Sequence, residues 1–81
     1  MSGDARLYRP RRVAVLVDGD GAPTAIAGSA VEGYKEEWVV EDRWWTPQPV
    51  RRHYYELVLV DGRCVVVFRD LEQDKWFEQR A

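Results

Sequence analysis

Trp38, Trp44, Trp45, Arg51, Arg52, Tyr54 and Tyr55 crowd one stretch of an 81-residue chain, and Trp76 and Phe77 follow near its end. Rings and guanidinium groups at this density suit recognition. Trp, Tyr and Arg dominate binding hot spots, and the same types stack on unpaired bases. A small core needs several of these rings, and the remainder is the functional signal. Arginine outnumbers lysine ten to two, which favours planar stacking and bidentate contacts with carboxylate or phosphate.

Catalytic and metal chemistry find little support. His53 is the only histidine and Cys64 the only cysteine, so four N/S ligands for a closed zinc site cannot be assembled. A disulfide is excluded for the same reason. Ser2 and Ser29 share no nucleophile spacing with His53, and no glycine-rich phosphate loop is present. Asp18-Gly19-Asp20-Gly21 opens like a calcium loop. Ala22, Pro23 and Ser29 then stand where the loop needs an acid, a glycine and a glutamate, so a plain turn is expected. The chain reads as a non-enzyme without cofactor. The net charge of −2 lacks the basic excess of a sequence-independent duplex binder. No run of apolar residues is long enough to span a membrane, no signal-peptide core is evident, and a lone thiol suits the cytoplasm.

These side chains must be positioned by strands. Arg52 to Val60 and Arg63 to Asp70 are rich in β-branched and aromatic residues, and Asp61-Gly62 between them predicts a two-residue type I′ hairpin. That register would set Leu59 against Cys64, Leu57 against Val66 and Tyr55 against Phe68, making these six an inward apolar ladder. Tyr54, Glu56, Val58, Val65, Val67 and Arg69 would share the outer face, with Arg69 beside Tyr54.

Upstream, Arg12 to Val17 forms a strand. Asp18 to Gly21 turns, and Ala22 to Ala27 returns at an edge that tolerates Pro23. Bends at Gly28 and Gly33 flank Ala30-Val31-Glu32. Tyr34 to Trp45 reads as one long, bent strand; a helix over 32–43 is the rival, disfavoured by Val and Trp and by the lack of a cap. Adjacent residues on a strand face opposite ways, so one of Trp44 and Trp45 enters the core and the other lies outside or at a rim. Thr46 to Pro49 is a rigid loop, Leu71 to Asp74 a turn and Lys75 to Gln79 a last strand. The fold expected is all-β: one small domain over residues 10–81, an antiparallel sheet of about six strands curled into an open, SH3-like barrel, behind a flexible leader at 1–9. Trp45, Arg51, Arg52, Tyr54, Val58, Val65, Val67 and Arg69 are the candidate binding residues, for a protein partner or, alternatively, single-stranded nucleic acid. Either a monomer or a homodimer satisfies such a surface.

The order Arg12-Val-Ala-Val-Leu-Val17, Gly21-Ala-Pro23, Trp44-Trp45, Arg52-His-Tyr-Tyr55, Asp61-Gly62, Val67-Phe-Arg-Asp70 and Lys75-Trp-Phe77 carries a family likeness. It resembles the small C-terminal domain of ImuB-like proteins, the Y-family-polymerase-like subunits of the bacterial mutasome, and short bacterial proteins that consist of that domain alone. The likeness covers roughly residues 10–80. It implies an accessory role in DNA repair or translesion synthesis, exerted through protein contacts, with no catalytic residues to carry over.

Overall fold

A computed structural model describes residues 10–43 and 45–79. The expected leader at 1–9, and Trp44 of the tryptophan pair, lie outside the described residues. Among the described residues all regular structure is strand: β1 (Arg11–Arg12), β2 (Val15–Val17), β3 (Pro23–Ile26), β4 (Ser29–Asp42), β5 (Val50–Leu59), β6 (Cys64–Asp70) and β7 (Lys75–Gln79). They form one antiparallel sheet in the order β1-β7-β6-β5-β4-β3-β2. Residues 32–42 are strand, not helix, as Val and Trp favour.

The sheet curls because its two edge strands are neighbours in the chain. Only Val13 and Ala14 separate β1 from β2. Val13 N–H donates to Trp76 O on one side (3.2 Å), while Ala14 O accepts from Ala27 N–H on the other (2.8 Å). The expected single strand Arg12 to Val17 is therefore split between the two ends of the sheet and forms the seam of an open half-barrel. Pro23 starts β3, where a missing N–H is tolerated, and β2 takes the edge position expected for β3.

Two turns overturn the expected register. Gly62 N–H donates to Leu59 O and Leu59 N–H donates to Arg63 O, both at 2.9 Å, with Gly62 at φ +90°. The β5–β6 connection is thus a three-residue loop, Val60-Asp61-Gly62, closed by a left-handed glycine. The two-residue turn with positive φ at both centres occurs instead at Ala27 (φ 49°) and Gly28 (φ 88°), between paired Ile26 and Ser29.

One extra loop residue slides β6 by one position. Leu57 faces Val65, Tyr55 faces Val67 and Tyr54 faces Phe68. Because side chains alternate, this slip exchanges the faces of β6. Val65 and Val67, expected outside, join Ile26, Tyr55, Leu57 and Leu59 in the barrel, with Val13, Val15, Val31 and Trp76 packed around them. Cys64, Val66 and Phe68, expected inside, turn outward, and Cys64 is exposed.

β4 carries two bulges. Val31 pairs with Leu59 but Gly33 with Val58; Tyr34 pairs with Leu57 but Glu36 with Glu56. Glu32 and Lys35 are the extra residues, and each bends the strand. β3 pairs with β4 only at Ser29 and Ala30, so beyond the bulges β4 has β5 on one side and, among the described residues, no strand on the other, while β5 goes on pairing with β6. β4 stops at Asp42, short of the expected Trp45. Arg43 (φ 53°) starts a turn in which Thr46 N–H donates to Arg43 O (2.9 Å).

Exposure of Cys64 distinguishes the two registers. Its thiol is expected to react with a disulfide reagent in native buffer about as fast as in urea; strong protection in the native state would restore the inward register. Ala27 bears a side chain where a left-handed backbone costs roughly 1–2 kcal/mol. Ala27→Asn is expected to raise unfolding stability by about 0.5–1 kcal/mol in urea titrations, since Asn-Gly favours this turn.

Candidate interaction site

The outer face is organised by a single row across four strands. Trp38, Tyr54, Phe68 and Phe77 are consecutive register partners on β4, β5, β6 and β7, and Arg12 of β1 ends the row. Trp38 and Tyr54 lie 5.2 Å apart with planes within 3°, Tyr54 and Phe68 4.9 Å apart, and Phe68 and Phe77 5.2 Å apart. Spacings this close to the inter-strand distance of about 4.8 Å mean that the rings stand upright, stacked at Trp38–Tyr54 and Phe68–Phe77 and tilted at Tyr54–Phe68. Arg52 covers Phe68 (guanidinium carbon to centroid, 4.6 Å) and donates to the Tyr54 hydroxyl (3.3 Å), while Arg12 lies 5.8 Å over Phe77. Phe68 is buried beneath these neighbours. The row is a second core on the outside of the barrel, each aromatic pair adding about 0.5–1.5 kcal/mol. From Tyr54 to Phe77 the ring faces are turned to one another, which leaves little flat surface for bases within the row.

Inward along β5 the series Leu59, Leu57, Tyr55, His53, Arg51 passes from apolar interior to polar mouth. His53 stacks on Tyr55 at 4.4 Å, meets the Glu37 carboxylate through Nε2 (2.6 Å) and the Tyr55 hydroxyl through Nδ1 (3.4 Å). Arg69 faces His53, not Tyr54, and binds Asp74 through Nε (2.8 Å). Arg51 reaches Glu41 and Glu72, each at 3.3 Å. Exposed pairs of this kind contribute little, about 0.2–1 kcal/mol. The Asp18 carboxylate accepts from the N–H of Asp20 (2.8 Å) and Ala22 (3.0 Å), the work of a turn rather than a cation loop.

The sequence-derived candidates therefore do not form one surface. Arg52, Tyr54 and Val58 face outward; Val65 and Val67 are in the barrel, and Val67 is fully buried; Arg51 and Arg69 sit at the mouth. Trp45 is exposed in the connection between β4 and β5.

What the residue types did not reveal is an open flank. β4 pairs with β5 from Val31 to Asp42, but on its other side no strand lies beside residues 32–42 among the described residues. Trp38, Val39 and Val40 lie in the middle of this edge, with Val39 55% and Val40 36% exposed. Glu36-Glu37 precede them and Glu41-Asp42 follow. The non-alternating apolar triplet was the available clue; the unpaired flank depends on where β3 ends.

No family model, curated protein or solved structure matches this chain. The ImuB-like resemblance thus rests on its short motifs. Several of their residues have architectural places here: Arg52, Tyr54 and Phe68 in the outer row, Tyr55 and Trp76 in or against the core.

Burial and the carboxylates of Asp18 and Glu37 raise the Tyr34 hydroxyl above its ordinary pKa; burial, Glu37 and Tyr34 raise that of Tyr55. Tyr34 also donates to Pro23 O. A raised folded-state pKa contributes stability that is complete below the unfolded value of about 10 and is lost as pH rises through the folded value. Urea midpoints are therefore expected to fall above about pH 10. The Tyr34→Phe/Tyr55→Phe protein should start lower, having lost both hydroxyl contacts, and decline less steeply. Equal slopes for the two proteins would refute the assignment.

Proposed function

We propose that this domain is a non-enzymatic protein-interaction module that receives a partner at the free flank of β4. The observation that carries this reading is the edge over residues 32–42, unpaired among the described residues and held on a platform stiffened by the outer ring row. An exposed edge offers main-chain donors and acceptors in strand geometry, the basis of recognition by strand addition. His53 contacts Glu37 and Tyr55 through its two ring nitrogens, which ties it into the polar mouth of the barrel. The upright rings and the acidic edge weigh against single-stranded nucleic acid. An exposed, single thiol favours a cytoplasmic setting. No helix of the described residues is long and apolar enough to cross a membrane. The accessory role in DNA repair or translesion synthesis belongs to the proposal through the motif resemblance, as docking to a protein component rather than to DNA.

Val39→Lys tests the surface. A lysine on an edge strand discourages further pairing, and at an exposed position the change in stability should stay within about 0.5 kcal/mol. The wild-type domain on a resin is expected to retain specific proteins from bacterial lysate, and the folded variant to lose them. No specific retention by the wild type would defeat the module reading; retention unchanged by Val39→Lys would move the contact away from this edge.

A further inference from the structure

We infer that the occupant of the β4 edge is an extended basic segment of another protein, with lysines or arginines on both sides of a short apolar centre. The inference rests on the strand-addition reading above and names the partner's chemistry.

The edge has a pattern that constrains its complement. From Glu36 to Asp42 it reads two acids, three apolar residues (Trp38, Val39, Val40) and two acids. Over β4 as a whole, Glu32, Glu36, Glu37, Glu41 and Asp42 stand against Lys35 alone, a formal −4. Only part of that charge is answered within the domain. Glu41 meets Arg51 and Glu37 meets His53. Glu36 faces Glu56 directly across the strand pair. Like charges so placed are destabilising. A cation delivered beside Glu36 would relieve both carboxylates. A strand of basic, basic, three apolar, basic, basic residues would put a cation near each acid and an apolar side chain near each apolar one. The symmetry of the pattern accepts it in either chain direction.

The same symmetry disfavours a second copy. Antiparallel self-pairing that aligns the apolar triplets about Val39 sets Glu37 against Glu41 and Glu36 against Asp42, each twice. Four like-charge contacts would accompany the added hydrogen bonds, so the acids exclude this chain while attracting a basic one. Nucleic acid is disfavoured by the same field.

The test uses the full chain and three capped seven-residue peptides: Lys-Arg-Val-Ile-Val-Arg-Lys, its analogue with glutamine at the four basic positions, and its analogue with glutamate there. Binding is followed by backbone amide shifts and amide exchange. The basic peptide is expected to bind saturably, to slow exchange within residues 32–42, and to weaken as salt shortens the screening length below about 8 Å. The other two should not bind measurably. Glu36→Lys/Asp42→Lys should weaken the basic peptide about fivefold or more, since two attractive charge pairs become repulsive. Circular dichroism would confirm its fold, and loss of the Glu36–Glu56 repulsion should keep its unfolding midpoint at or above the wild type.

Equal binding of the glutamine peptide would overturn the charge inference and leave strand addition standing. Binding of the basic peptide without protection of 32–42 would place it elsewhere and overturn the inference. Absence of binding by all three would also overturn it, the acids then acting only to keep copies apart. Concentration-dependent dimerisation in sedimentation, with protection at 32–42, would give the edge to a second copy.

Discussion

A left-handed backbone at Gly62, φ +90°, governs which side of β6 lies inside the barrel. The loop it closes holds three residues, and that count sets Leu57 opposite Val65. One residue fewer would carry Cys64, Val66 and Phe68 inward and turn Val65 and Val67 outward. Burial enforces the choice. The inner face needs the compact Val65 and Val67 against Leu57 and Leu59, whereas Phe68 is accommodated outside, between Tyr54 and Phe77 and under Arg52. The turn and the two packed faces therefore select the same register, the mutual support expected of a well-specified sheet.

The two-faced sheet also explains how so short a chain uses so many rings. A domain of this size buries a modest fraction of its unfolded surface. Here apolar burial occurs twice: once inside the curl around Leu57, and once outside as an upright row from Trp38 to Phe77. The seam at Val13 and Ala14 holds the curl by hydrogen-bonding to β7 on one side and to the β3–β4 turn on the other. The bulges at Glu32 and Lys35 then bend β4 beyond the short β3. The open flank is a consequence of that construction: the barrel needs β4 for its first two residues on one side and for all but those on the other.

Much of the architecture was readable in residue order. Strand type followed from Val, Tyr and Trp enrichment, and the Lys75–Gln79 strand and the Leu71–Asp74 turn are where those residues place them. The inward role of Tyr55, Leu57 and Leu59 was also readable, since alternation along β5 is unbroken. The β6 face was not. Asp-Gly is compatible with both two- and three-residue connections, and a difference of one residue reverses every side chain that follows. Ala27 was no better a guide, because alanine has no local preference for positive φ. Its place was imposed by pairing between Ile26 and Ser29.

Residue types alone determined an all-β chain without the ligands for a closed zinc site, rich in rings and arginines, and with Tyr55, Leu57 and Leu59 on one side of a strand. Those properties depend on local preference and on period-two alternation, which are carried by neighbouring residues. Tertiary structure alone decided that Val65 and Val67 are core, that Arg52 covers Phe68, and that residues 32–42 have, among the described residues, a free flank. Each of these depends on pairing between segments distant in sequence, where hydrogen-bond geometry and burial act together and a single-residue shift changes the outcome.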